Sequence, residues 1–82
     1  MKFVDLTTFL VKSIIKHEEL LQVEVEIEKD DFIQLGIKVA EKDMGRIIGK
    51  DGKVANAIRT IIQASGFING NKKIKINIDA IK

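Results

Sequence analysis

Few side chains among these 82 residues can do chemistry. There is no cysteine and only one histidine, His17. That removes thiol nucleophiles, disulfide frameworks and any zinc site that needs cysteines or two imidazoles. His17 falls at the end of an expected helix, where a C-terminal capping role accounts for it better than catalysis does. Glu24, Glu26 and Glu28 are spaced by two and line one face of an expected strand. Nothing near them in sequence supplies a polarising base or a metal partner, so they read as a solvated face. What remains is one segment, Gly45-Arg46-Ile47-Ile48-Gly49-Lys50-Asp51-Gly52-Lys53.

The spacing Gly49-x-x-Gly52 suits the close approach of a phosphate chain. Without Cβ atoms the backbone turns sharply and a sugar–phosphate strand can lie directly against it. Amides at the start of a following helix point outward unpaired, and the helix dipole adds partial positive charge there. Lys50 supplies a flexible cation, Lys53 a second, and Arg46 and Arg59 contribute at the margins. A corner between two helices whose glycines only relieve backbone strain accounts for the same residues. Nucleotide hydrolysis fails on spacing. Gly45 to Gly49-Lys50 is one residue short of a P-loop, Asp51 stands where serine or threonine would hold magnesium, and no G-x-G-x-x-G exists. No metal or cofactor is expected.

The elements that must hold this segment follow from periodicity. Residues 5–17 read as a helix with a Leu6, Leu10, Ile14 stripe, widened by Phe3, Phe9, Val11 and Ile15, and with Asp5 as N-cap. Residues 23–28 alternate strictly, with Val23, Val25 and Ile27 on one face. Asp30-Asp31 makes a turn, and Ile33, Leu35, Ile37 and Val39 alternate again, so the two runs predict a hairpin. Asp43 reads as the cap of a short helix through Ile48. A longer helix follows, with Val54, Ile58, Ile61, Ile62 and Ser65 on its apolar stripe, ended by Gly66 and Asn69-Gly70-Asn71. That stripe carries more apolar surface than one flank of a small sheet needs, which predicts self-association. Phe67-Ile68 reads as core, with an exposed contact patch as the minority reading. A last strand places Ile74, Ile76 and Ile78 on one face. Three strands with one apolar face need a helical cover, so the fold class is a two-layer α+β domain spanning 1–82.

Charge is segregated along the chain. Residues 18–31 hold seven acids against one base, and residues 42–82 hold nine bases against three acids, although the net charge is only +2. One acidic and one basic face are expected, and the basic face suits a polyanion. The hydrophobic fraction of 45% excludes a disordered tail. In the N-terminal segment the longest apolar run is Phe9-Leu10-Val11, too short for a signal peptide or a membrane helix, so a cytoplasmic location is expected.

The run Ile47-Ile48-Gly49-Lys50-Asp51-Gly52 between two helices resembles the I-G-x-x-G signature of the KH domain, a module whose GXXG loop clamps four backbone nucleotides of RNA. The αββααβ order is similar to the type II arrangement. From Asp43-Met44-Gly45 through Ala57-Ile58-Arg59-Thr60-Ile61-Ile62 the chain resembles the small stand-alone bacterial KhpA family. The resemblance implies single-stranded RNA held between the helices flanking the loop and the sheet edge. Gly49, Lys50, Asp51 and Gly52 would meet phosphates, with Ile48 in an apolar floor for bases. It also implies a non-catalytic RNA-binding factor or RNA chaperone that affects gene expression and cell-envelope growth. Its implied partners are a second copy of itself and a larger KH-containing protein of the KhpB type. A protein-interaction module that keeps the KH fold for dimerisation, with little RNA affinity, is the alternative. Asp51 and Ala55 depart from residues common in the family, and Lys42 stands where a proline is frequent.

Overall fold

A computed structural model of the chain describes residues 2–81. Its elements are α1 (Lys2–Lys12), a 3-10 turn at Glu18–Leu20, β1 (Gln22–Glu28), β2 (Phe32–Ala40), a second 3-10 turn at Glu41–Asp43, α2 (Met44–Ile48), a third at Lys50–Gly52, α3 (Lys53–Ile68) and β3 (Lys73–Ile81). The αββααβ order expected from periodicity is present.

β1 and β2 form an antiparallel hairpin around Asp30-Asp31, closed by the Lys29 amide donating to the Phe32 carbonyl at 2.7 Å. β2 and β3 run parallel, in unbroken register from Phe32 opposite Lys73 to Ala40 opposite Ile81. Parallel neighbours cannot be joined by a tight turn, so α2 and α3 form the crossover between them. The sheet order is β1-β2-β3, which makes β2 the central strand. Ile33, Leu35, Ile37 and Val39 of β2 are fully buried under the helical layer, with Phe3, Val11, Ile15, Ile47, Ile58, Ile62, Ile74 and Ile76 completing the core.

The opposite face of the sheet carries polar side chains. Glu26 lies across Gly36, and its carboxylate accepts from Gln34 Nε2 at 3.2 Å and Asn77 Nδ2 at 3.1 Å. A β-bulge explains this placement. The register slips between Val25 and Ile27, so Ile27 pairs with Gln34 and turns to the polar face. The expected single face of Val23, Val25 and Ile27 is therefore broken after Val25.

Other expectations are corrected by packing. α1 ends at Lys12, so Asp5 lies inside the helix and caps nothing, and its core stripe is Phe3, Thr7 and Val11, continued by Ile15 beyond the helix, while Phe9 is exposed. His17 caps no α-helix; it precedes the first 3-10 turn without a side-chain cap bond. α3 runs through Gly66 to Ile68. Gly66 is buried inside it, because a Cβ there would collide with the Lys72 carbonyl oxygen and come within 2.9 Å of Ile74 Cδ1. Phe67 and Ile68 are not core: they are 60% and 82% exposed. Ile61 is 46% exposed, whereas Ala55, Ile58 and Ile62 are buried. Among the described residues, no helix is long and apolar enough to cross a membrane, and no three His, Asp or Glu side chains could hold a metal ion.

Candidate functional site

α2 and α3 meet at a corner built by Gly49–Gly52. Gly49 has φ 74° and ψ 177°, Asp51 φ 57° and ψ 26°, and Gly52 φ 74° and ψ 11°. Not every amide of this corner is a free donor. Gly49 N–H donates to Gly45 at 3.0 Å, Gly52 N–H to Gly49 at 3.3 Å and Lys53 N–H to Lys50. The turn thus commits the amides of Gly49, Gly52 and Lys53 and leaves those of Lys50 and Asp51 out of its own bonds at the tip.

The glycines have a local cause. Both have positive φ, Gly52 in the left-handed region and Gly49 in an extended conformation that is essentially glycine-only, so a Cβ is costly at each. Gly49 is also locked by packing, since a Cβ there would collide with Val54, 2.8 Å from its Cβ. A Cβ at Gly52 would meet only Asn56 Nδ2, at 3.9 Å. Asp51 also has a local reason. Short polar side chains are the non-glycine residues that tolerate its left-handed backbone.

Asp43 fixes the start of α2, though not as an N-cap. Its buried carboxylate accepts from the backbone amides of Lys16 at 3.1 Å and His17 at 2.9 Å, and it makes no cap bond to α2. Burial pushes this carboxyl up. The two amide bonds, with the nearby charges of His17 and Arg46, outweigh that effect and hold it below the usual carboxylate range. This residue ties the segment after α1 to the α2 corner. Local sequence could not reveal it, because its partners lie 26 and 27 positions earlier.

The sequence-derived candidates are brought together unevenly. Arg46, Lys50, Asp51 and Lys53 are exposed around the corner, and Ile48 is 40% exposed beside it while Ile47 is fully buried. Arg59 is half-buried. At about 100° per residue it shares a stripe with Ala55, Ile62 and Gly66 rather than with Lys53. Among the described residues the ion pairs within 4.0 Å are His17–Glu19 and Lys38–Glu24. None of the corner's cations therefore makes an ion pair within that distance among the described residues.

The family model for the KhpA/KhpB KH domain matches residues 4–78, which takes in both helices of the corner, β1, β2 and most of β3. The chain belongs to that family. Its α+β architecture, with the mixed three-stranded sheet and αββααβ order, agrees with the type II KH fold. The chain is 38% identical over 74 residues to the RNA-binding protein KhpA of Clostridium perfringens, covering 90% of this chain and 96% of that one. It is 39% identical to the RNA-binding protein KhpA of Listeria monocytogenes, covering 90% and 95%. Against the RNA-binding protein KhpA of Bacillus subtilis the identity is 35%, over 90% and 89%.

Proposed function

We propose that this protein is a non-catalytic, single KH module that binds single-stranded RNA at the Gly49–Gly52 corner. The observation that carries the reading is a tip with two uncommitted amides and unpaired cations, set where α3 begins without a side-chain cap. A phosphate there meets N–H donors, the positive end of the α3 dipole and Lys50. Arg46 and Lys53 flank the path, Arg59 lies further along α3, and Ile48 offers apolar surface to a base. Asp51 opposes the phosphates and keeps the affinity modest. That the relatives carry the name RNA-binding protein supports the same reading.

A second copy adds avidity that one short site lacks. The residues for it are on α3, where Ala57, Ile61, Ala64 and Ile68 are all exposed and follow each other at helical spacing. This stripe, and not the buried Ile58 and Ile62, is the surplus apolar surface. It also favours the second reading, a dimerisation module that pairs with itself or a KhpB-type protein and has little RNA affinity. An RNA chaperone or broad RNA-binding factor in the cytoplasm, acting with such a partner, is the role that joins the two features. Ultraviolet crosslinking in cells separates the readings. Wild type should crosslink to RNA and Lys50→Asp should not, whereas equal and low crosslinking of both would leave only the dimerisation module.

A further inference from the structure

The end of α3 and the start of β3 carry a second feature that the corner does not use. Phe67 presents an aromatic ring to solvent beside a cleft of about 280 Å³ lined by Gln63, Phe67, Lys72, Lys73 and Ile74. Gly66 makes the cleft possible. Its missing Cβ lets the Lys72 backbone close onto the helix, where the Lys72 amide donates to the Gly66 carbonyl at 2.9 Å. Gly70 and Asn71, both at positive φ, then turn the chain so that two lysines follow directly. Among the described residues neither lysine has a carboxylate within 4.0 Å. The Asp31 carbonyl accepts from the Lys73 amide at 2.9 Å, which fixes the start of β3 against the hairpin turn.

We infer that this cleft is a second contact for the same RNA strand, with Phe67 stacking a base and Lys72 and Lys73 holding phosphates. The inference rests on the RNA reading of the corner. An exposed stripe joins the two places: Lys53, Asn56, Thr60, Gln63 and Phe67 recur at intervals of three and four along α3. From Lys53 to Phe67 the helix rises about 21 Å, which takes about six nucleotides of a stacked strand at ~3.4 Å each and fewer of an extended one. A strand leaving the corner thus runs over uncharged polar side chains and reaches a ring flanked by two cations. An aromatic platform inside a basic groove is how single strands are held without reading their sequence. Phe67 lines the cleft with the lysines and lies about 90° round α3 from the Ala57, Ile61, Ala64, Ile68 stripe, so the ring serves the charged groove rather than that apolar face.

The test uses oligouridines of 4 and 12 nucleotides, read by fluorescence anisotropy against wild type, Phe67→Ala and the double variant Lys72→Gln, Lys73→Gln. Both variants should bind the tetramer as wild type does. On the 12-mer Phe67→Ala should lose roughly fivefold or more, the low end for one stacked base. The lysine variant should flatten the 12-mer salt slope by about 1.4, from about 0.7 for each phosphate contact. Unchanged 12-mer binding in both variants, with the wild type still holding the tetramer, overturns the second contact and leaves the corner intact. Wild type that binds neither oligomer overturns both. Loss of self-association in Phe67→Ala at unchanged RNA affinity overturns the inference by assigning the ring to a protein interface.

Discussion

At Gly49 and Gly52 the chain passes through positive φ, but different forces hold the two positions. Gly52 needs its conformation alone, so Gly52→Ala should cost about 1–2 kcal/mol, the ordinary penalty of a left-handed Cβ. Gly49→Ala meets an essentially glycine-only backbone conformation and a collision with Val54, and should cost clearly more. Thermal unfolding of the two variants should rank them in that order, and equal losses would remove the packing role of Gly49. The consequence for function is practical. RNA binding lost in Gly49→Ala reports on folding as well as on contact, whereas Lys50 and Asp51 are exposed and report on charge. At this scale the sequence shows the motif and its cations plainly. It does not show that Asp51 sits left-handed, because that conformation is set by the meeting of two helices.

Single elements are shaped by contacts that local patterns cannot carry. The alternation of β2 and β3 is legible because one face is buried along nearly the whole of β2 and over the first half of β3. The bulge at Glu26 is not, since it depends on Gly36 and Asn77 across two neighbouring strands. Gly66 looks like a helix stop, yet it serves a backbone crossing with Lys72. Asp43 looks like a helix cap and instead accepts amides from the segment after α1. Its folded pKa is lowered, so its stabilisation is present above the unfolded value of about 3.9 and is lost as pH falls through the lower folded value. Asp43→Asn keeps one acceptor oxygen and places an amide group against the other donor. The variant should melt at a lower temperature at pH 7, and below about pH 4 the gap to wild type should narrow. A gap that stays constant with pH would show that the carboxylate charge contributes nothing.

For the whole molecule, the sheet order converts a charge gradient along the chain into one across space. The glutamates of β1 and the lysines of β3 occupy opposite edges, with β2 between them. The αββααβ order and the single helical layer are legible in advance, as are the basic and acidic halves. Which apolar residues of α3 stay outside is not, because that depends on how α3 rolls against β3 and α1. The exposed Ala57, Ile61, Ala64, Ile68 stripe is the result, and a helix that leaves such a stripe bare has reason to pair. Sedimentation equilibrium at micromolar concentration should show a dimer, and Ile61→Lys should give a monomer with an unchanged melting profile at low concentration. Wild type that stays strictly monomeric would remove self-association from the account.

RNA binding at the α2–α3 corner is tested most directly by anisotropy on a short unstructured RNA across a salt series. With about three phosphates engaged, log K should fall with log salt at a slope near −2, from roughly −0.7 for each contact on a single strand. Lys50→Asp should bind at least tenfold more weakly with a flatter slope, while its stability changes by less than about 0.5 kcal/mol. Asp51→Asn keeps the left-handed backbone, removes the opposing carboxylate and should bind up to about fivefold more tightly, the scale of one screened surface charge. Both changes should be independent of RNA sequence, because phosphate contacts position a strand without reading it. Equal affinities and equal slopes for the wild type and both variants would contradict the account and place the RNA elsewhere or nowhere.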